Sequence, residues 1–142
     1  MRFWESSAIV PLLSEESRTA SLAALLRSDR GVTVWWGAEV ECVSALRRRE
    51  RDGTLAEADI GQRFKRLREW KDRWQEVQPA GDLRDIAVRL LAMHALRAGD
   101  ALQLAAAIVA CEGRPSSLPF VSLDRRLAIA AAREGLDVVP VE

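Results

Sequence analysis

The sequence predicts an α/β fold in which a parallel sheet carries helices on both faces, and two observations support this prediction. Short apolar, β-branched and aromatic stretches alternate along the chain with longer helical patterns, which is typical of parallel strands joined by helices. The length, 142 residues, is that of one domain, and no linker-like stretch divides the chain. We therefore predict a single domain over residues 1–142.

Four short stretches have the composition of β-strands. Residues 32–36 (VTVWW) are the clearest, because they contain only β-branched and aromatic side chains. The last stretch contains Pro140, which suits an edge strand because proline has no backbone N–H to donate to a ladder. The predicted strands are residues 2–5, 32–36, 120–123 and 137–141.

Helical patterns fill the intervals between these strands. The clearest helix is expected to begin at a capping box, TLAE at 54–57, and to keep one apolar stripe as far as Val77. Another is expected to begin at Ser14, with Glu15 and Glu16 in its first turn. The predicted helices are residues 6–13, 14–30, 37–52, 54–77, 82–96, 97–111 and 125–134.

Composition excludes several classes of function. Basic and acidic residues number 21 each, so the net charge is zero and any basic surface for nucleic acid must be local. The two cysteines, Cys42 and Cys111, and the only histidine, His94, have no zinc-site spacing, and the cysteines are typical of a reduced cytosolic core. The longest apolar run, 104–111, is shorter than the ~20 residues of a membrane span. Since Glu5 also interrupts any signal-peptide-like stretch, we predict a cytoplasmic protein.

Asp100 stands at the start of an almost wholly apolar helical segment. From residue 101 to residue 111 the only polar side chain is Gln103, so the helix is expected to be buried on all sides. An ionised carboxylate in such a place needs hydrogen bonds, a cation or a metal ion. Asp100 could therefore be an N-cap of its helix or a metal ligand, and the two roles are compatible only if different oxygens serve them.

Acids also follow the predicted strands. Glu5 ends the first strand, Glu41 lies about one turn into the helix after the second, and Asp124 ends the stretch FVSL. Ligands of open parallel sheets bind beyond the carboxyl ends of the strands. Asp100 joins this group only if its helix docks at the same edge of the sheet.

Crowded carboxylates repel one another, and a hard divalent cation reverses that repulsion. Mg²⁺ and Mn²⁺ prefer oxygen ligands and are commonly held by a few carboxylates together with substrate phosphates. Because the sequence offers no evident histidine or cysteine nucleophile, the acids favour metal-assisted hydrolysis of a phosphodiester.

Four segments, in chain order, resemble the four acidic motifs of PIN-domain ribonucleases. They are FWESSAIVPLL, VECVSALRR, LRAGDALQLAAA and FVSLDRRLAIAAAREGL, and the match runs nearly from end to end. The sequence is most similar to the VapC-type toxins of bacterial type II toxin–antitoxin pairs. The resemblance implies a three-layer α/β/α sandwich with a short, mainly parallel sheet, and a Mg²⁺- or Mn²⁺-dependent endoribonuclease that cuts single-stranded or looped RNA. It also implies a cognate antitoxin and a homodimer.

Carried over to this sequence, the resemblance assigns catalytic and metal-binding roles to four acids: Glu5, Glu41, Asp100 and Asp124. It places Ser7 as a small hydroxyl that supports the first acid, and Ser122 as a comparable neighbour of the fourth. Arg125 and Arg126 follow Asp124 directly, so at least one of them is expected at the rim of the site as a possible RNA contact.

The first acid departs from the family pattern, in which it is typically aspartate. Glu5 carries one more methylene, which moves its carboxylate by about one bond length, whereas catalytic geometry tolerates errors of only ~0.5 Å. The alternative is therefore a catalytically impaired PIN-fold protein that acts as an RNA- or protein-binding module.

Two further choices stay open at this point. Glu39 competes with Glu41 for the second acidic position, because residues two apart on a helix cannot both face one site. DNA competes with RNA as the substrate, since no residue can be named that would read the 2′-hydroxyl.

Overall fold

The structure, a computed structural model, describes residues 1–13 and 19–141. The predicted helix start at Ser14, with Glu15 and Glu16, lies outside these described residues. The described elements, in chain order, are β1 (Arg2–Trp4), α1 (Ser6–Leu13), α2 (Thr19–Arg27), β2 (Val32–Trp35), α3 (Ala38–Arg51), α4 (Glu57–Lys71), β3 (Gln75–Val77), α5 (Leu83–Met93), α6 (Ala98–Ala110), a 3₁₀ turn (Pro115–Ser117), β4 (Phe120–Val121) and α7 (Arg125–Arg133).

The four described strands form one parallel sheet in the order β3-β2-β1-β4. Phe3 of β1 is paired with Thr33 of β2 on one side and with Phe120 of β4 on the other. The α/β fold with a short parallel sheet is therefore confirmed. Because β1 and β4 are neighbours, the residues that follow them meet at the same edge of the sheet.

Helices cover both faces of this sheet, which confirms the three-layer architecture. Successive side chains of a strand point to opposite faces. Phe3 accordingly packs against α5, α6 and α7 and stacks on Phe120, with ring centroids 5.7 Å apart. Trp4, the next residue, packs in a second core with α1, α2, α3 and α4. Both side chains are fully buried, so the sheet is apolar on each face.

The helix predicted over residues 54–77 is shorter than its sequence pattern suggested. It begins at Glu57, and Thr54 is not its N-cap, because the Thr54 hydroxyl donates to Asp52 at 2.7 Å in the preceding turn. It ends at Lys71, and Gln75–Val77 forms the edge strand β3. The apolar stripe continues through Trp74 and Val77 because both pack into the cores, Trp74 from the turn and Val77 from the strand.

The predicted final strand, residues 137–141, is reduced to a single parallel bridge between Phe120 and Val138. Two backbone hydrogen bonds make this bridge, from Phe120 N to Asp137 O at 2.8 Å and from Val139 N to Phe120 O at 2.9 Å. Pro140 follows, and without an N–H it cannot extend the ladder. In the described part of the chain, every helix is too short or too polar to span a lipid bilayer.

Candidate active site

Four elements bring the predicted acids to the carboxyl edge of the sheet. Glu5 directly follows β1, and Asp124 follows β4 by three residues. Glu41 lies in the first turn of α3, and Asp100 lies in the first turn of α6. No strand directly precedes Asp100, but α6 packs against β2 and β3, and Asp100 in its first turn is close enough to Glu41 to raise the pKa of that acid.

Glu5 is a buried carboxylate, with a residue exposure of 6%. Its Oε2 accepts hydrogen bonds from the hydroxyls of Ser7 and Ser122, the second at 2.8 Å. Burial raises the pKa of Glu5 to about 7 from an ordinary 4.5, the two hydroxyl hydrogen bonds oppose that rise, and the charge of Glu41 adds to it. Two hydroxyls therefore offset only part of the cost of burying this charge.

Ser7 and Ser122 also fix the loop that carries Asp124. The Ser7 oxygen accepts the backbone N–H groups of Leu123 at 2.8 Å and Asp124 at 3.1 Å. The Ser122 oxygen accepts the N–H of Asp124 at 3.0 Å. The two serines thus join Glu5 to the backbone of Asp124, and Ser122 contacts the first acid as well as the fourth.

Glu41, not Glu39, faces the interior of the site. Its Oε2 accepts a hydrogen bond from the Ser6 hydroxyl at 2.9 Å and another from the side-chain amide of Gln103. Burial raises the pKa of Glu41, these two hydrogen bonds oppose the rise, and the charge of Asp100 adds to it. Glu39 instead pairs with Lys71 of α4, with 2.6 Å between Oε2 and Nζ.

Asp100 and Asp124 both bond to the backbone at the start of a helix. Asp100 Oδ2 accepts the N–H of Arg97 at 3.1 Å, and Asp124 Oδ1 accepts the N–H of Leu127 at 3.2 Å. Among the described residues, no hydrogen bond reaches the other oxygen of either carboxylate. Asp124 is thus the N-cap of α7, whereas Asp100 is not an N-cap but the third residue of α6, and its side chain accepts the N–H of the N-cap residue, Arg97. In each case the helix contact uses one oxygen only.

A groove of about 610 Å³ opens beside these two aspartates. Its lining is strongly charged, and three of its side chains are arginines. The lining residues are Arg97, Asp100, Asp124, Arg125, Arg126 and Ile129. Arg125 and Arg126 therefore lie at the rim of the site.

The donor chemistry of this edge fits a hard divalent cation. All four acids offer oxygen, and within residues 1–13 and 19–141 neither the buried Glu5 nor the half-buried Glu41 pairs with a basic side chain. The acids are neighbours in pairs, Glu5 with Glu41 and Glu41 with Asp100. Over residues 1–13 and 19–141, however, no three acidic, histidine or cysteine side chains are arranged closely enough to hold a metal ion.

Sequence reasoning missed two polar residues of this site, Ser6 and Gln103. Both contact Glu41, and both are buried. A signal for Gln103 was present, because it is the only polar side chain in residues 101–111. Ser6 had no such signal, since SS at 6–7 does not show which serine supports which acid.

No family model matches the chain. The chain is similar to two curated proteins of Mycobacterium tuberculosis, Ribonuclease VapC45 of strain CDC 1551 / Oshkosh and Ribonuclease VapC49 of strain ATCC 25618 / H37Rv. Each is 29% identical to it, over 99% of this chain and 95% of the relative. This similarity along nearly the whole chain confirms the resemblance to the VapC-type ribonucleases that the four acidic motifs predicted.

Proposed function

We propose that this protein is a metal-dependent endoribonuclease, the toxin of a type II toxin–antitoxin pair. The observation that carries the proposal is the pair of carboxylates at the carboxyl edge of the parallel sheet, the buried Glu5 and the half-buried Glu41, whose charge adds to the raised pKa of Glu5. Two such carboxylates destabilise the metal-free fold when both are ionised, and a bound divalent cation offsets this destabilisation. The names of the two similar ribonucleases support RNA as the substrate.

Glu5, Glu41, Asp100 and Asp124 are the residues that would hold Mg²⁺ or Mn²⁺. When bound, such an ion supplies charge stabilisation for a phosphodiester and lowers the pKa of water. Ser7 and Ser122 orient Glu5 through their hydroxyls. Asp100 and Asp124 each turn one oxygen to a helix backbone, which fixes the direction of the other.

No side chain of the described residues is proposed as a nucleophile. Cys42 is fully buried, and burial raises the pKa of its thiol. His94 lies against Glu134 on another part of the molecule, with 2.8 Å between Nε2 and Oε2. Water is therefore the proposed attacking group.

Arginines of the groove are proposed to bind the RNA backbone. Arg97, Arg125 and Arg126 line the same open space as Asp100 and Asp124. Since the net charge of the chain is zero, contact with phosphates depends on local groups such as these.

We also propose a cognate antitoxin and a homodimer, on the strength of the resemblance to VapC-type toxins. A cytoplasmic location belongs to the same proposal. Co-expression of the adjacent open reading frame with this chain, followed by purification through a tag on the partner alone, tests the antitoxin. The mass of the purified chain in solution tests the homodimer.

A catalytically impaired binding module is the second candidate. It is favoured by two observations: Glu5 stands where the family typically has aspartate, and the described residues do not gather three acids around one point. In this case the protein would bind RNA or a protein partner without cutting RNA.

Cleavage of end-labelled RNA with Mg²⁺, with Mn²⁺ and with EDTA separates the two candidates. The endoribonuclease proposal expects metal-dependent fragments from the wild type and none from Asp100→Asn or Asp124→Asn. Asp85→Asn is the matched control, because Asp85 is an exposed acid of α5. Equal cleavage by all four proteins would overturn the catalytic assignment. DNA of the same sequence, digested in parallel, tests the choice of polymer.

A further inference from the structure

Gln103 occupies a position where a polar side chain is costly. It lies in α6, one helical turn after Asp100, and its exposure is 1%. A buried amide is tolerated where its polar groups are hydrogen-bonded. Gln103 Nε2 donates to Ser6 Oγ at 2.7 Å and also to Glu41 Oε2, and Ser6 Oγ donates to the same Glu41 oxygen at 2.9 Å.

The orientation of this amide is set by Glu41. Gln103 Oε1 is buried and has no hydrogen-bond partner among the described residues. The flipped amide would place Oε1 against Glu41 Oε2, so that two acceptors would face each other and the carboxylate would lose a donor. The side chain therefore leaves one buried acceptor unsatisfied in order to keep its donor group on Glu41.

The second oxygen of Glu41 lies close to the first turn of α6. A Cβ atom on Gly99 would lie 3.3 Å from Glu41 Oε1, so the absence of a side chain at residue 99 leaves room for the carboxylate. Glu41 belongs to α3, Ser6 begins α1, and Gly99 and Gln103 belong to α6. The carboxylate is thus fixed from two other helices.

We propose that Gln103 is a positioning residue. Its amide orients the carboxylate of Glu41 toward Glu5 and Asp100. The inference rests on the proposed function, in which Glu41 is a metal ligand. Groups that orient metal ligands through a hydrogen bond are typically worth 10- to 100-fold in metal affinity or activity. A purely structural Gln103, which only ties α6 to α1, would change stability and leave metal affinity alone.

The test uses the full chain and Mn²⁺ as the probe, with binding measured by calorimetry. Gln103→Leu removes the amide, and Gln103→Met keeps the length of the side chain but removes its donor. Leu104→Val is the matched control. Leu104 is the next residue of α6 and is also fully buried, but it packs in the core that contains Phe3 and α5 and not against Glu41. Thermal unfolding of each variant reports how far the fold is weakened.

The proposal expects both Gln103 variants to bind Mn²⁺ about tenfold or more weakly than the wild type, while Leu104→Val binds it normally. In RNA cleavage, kcat should fall by a similar factor and KM for RNA should stay the same, because Gln103 does not line the groove. Wild-type Mn²⁺ affinity in a folded Gln103→Leu or Gln103→Met protein would overturn the proposal.

A double-mutant cycle on urea unfolding keeps the inference separate from the proposed function. The cycle combines Gln103→Leu with Glu41→Ala. If Gln103 serves Glu41, the drop in urea midpoint caused by Gln103→Leu should be clearly smaller in the Glu41→Ala background. Additive drops would overturn the inference. Should the wild type bind no Mn²⁺, the metal site fails, and the cycle alone decides whether Gln103 positions Glu41.

Discussion

Two groups of partly or fully buried glutamates in this molecule are arranged in opposite ways. At the sheet edge, Glu5 and Glu41 are surrounded by hydroxyls, an amide and other acids, and their pKa values are raised. At the end of α7, Glu134 accepts a hydrogen bond from Arg89 at 2.9 Å and lies 2.8 Å from the ring of His94, and its pKa is lowered. The side chain of Glu134 is only 13% exposed, so it too is largely buried.

The difference shows which carboxylates serve the fold. Glu134 joins α5 to α7 and receives a cation from within the chain, Arg89. Glu5 and Glu41 have no such cation among the described residues, and the charges of Glu41 and Asp100 add to the raised pKa of Glu5 and of Glu41, respectively. Burying charge without its counter-ion is unfavourable for folding alone. This contrast supports the proposal that the sheet edge takes its counter-ion from solution.

The largest expected effect is on RNA cleavage, which should depend on the glutamates of the sheet edge and not on Glu134. Glu5→Gln should lower RNA cleavage by about 100- to 1,000-fold, the loss typical of removing one group that stabilises a transition state. Glu134→Gln should leave kcat within about twofold of the wild type. Single-turnover cleavage of labelled RNA measures both. Equal losses in the two variants would remove the distinction between a site acid and a structural acid.

The second effect is a stability that falls with rising pH. Because the pKa of Glu5 is raised to about 7 from 4.5, the folded state binds more protons than the unfolded state between these values. The free energy of unfolding of the metal-free protein should therefore fall as pH rises from 4.5 to 7, by an amount of the order of 3 kcal/mol from this residue. Urea unfolding across this range in EDTA measures the slope, and Glu5→Gln should flatten it.

Mn²⁺ should change that pH dependence. A divalent cation favours the ionised carboxylates, so binding should release protons between pH 5 and pH 7. Calorimetric titration in two buffers of different ionisation enthalpy measures the number released. A Mn²⁺ affinity that is independent of pH in this range would contradict the account of Glu5 and Glu41.

Glu134 should show the reverse behaviour and a smaller effect. Its lowered pKa contributes stability that is present above the ordinary value of 4.5 and is lost as pH falls through the lowered value. Glu134→Gln should cost about 1 kcal/mol at pH 7 because Arg89 loses a charged partner. As pH falls from 5 to 3, the free energy of unfolding should fall less steeply for this variant than for the wild type. Glu112→Gln, an exposed acid outside both groups, is the control.

The smallest effects are expected for the arginines of the groove. Arg89 forms an ion pair with Glu134, whereas Arg125 and Arg126 line the groove beside Asp124. Arg125→Ala or Arg126→Ala should weaken RNA binding a few-fold and lower the slope of log affinity against log salt by about 1 for each phosphate that the variant no longer binds. Arg89→Ala should leave that slope unchanged. Binding of RNA to the Asp100→Asn protein, measured at several salt concentrations, tests this.

Much of the fold could be predicted because its signals are local. The composition of VTVWW indicates a strand, which is β2, and the helix predicted over residues 125–134 is α7, with Asp124 as its N-cap. Edge strand β3 could not be predicted, since Gln75–Val77 is polar and continues a helical stripe. Its strand conformation comes from pairing with β2, which no local pattern reveals.

The candidate site also has features that the sequence predicts and features that it does not. Acids that follow strands could be placed at one edge from topology alone, and the structure brings Glu5, Glu41 and Asp100 near one another in pairs. The contacts that orient them are long-range. Gln103 and Glu41 are separated by 62 residues, and Ser122 and Glu5 by 117. Such pairs depend on how helices pack over the sheet, which a single sequence does not specify.

The most direct test of the central claim, that the acids of the sheet edge take their counter-ion from solution, is a crystal structure of the protein soaked with Mn²⁺. We expect an anomalous peak at the carboxyl edge of the sheet, coordinated by oxygens of Glu5 and Asp100 with Glu41 or Asp124. No peak there at millimolar Mn²⁺, or an ion bound only by other residues, would contradict the claim.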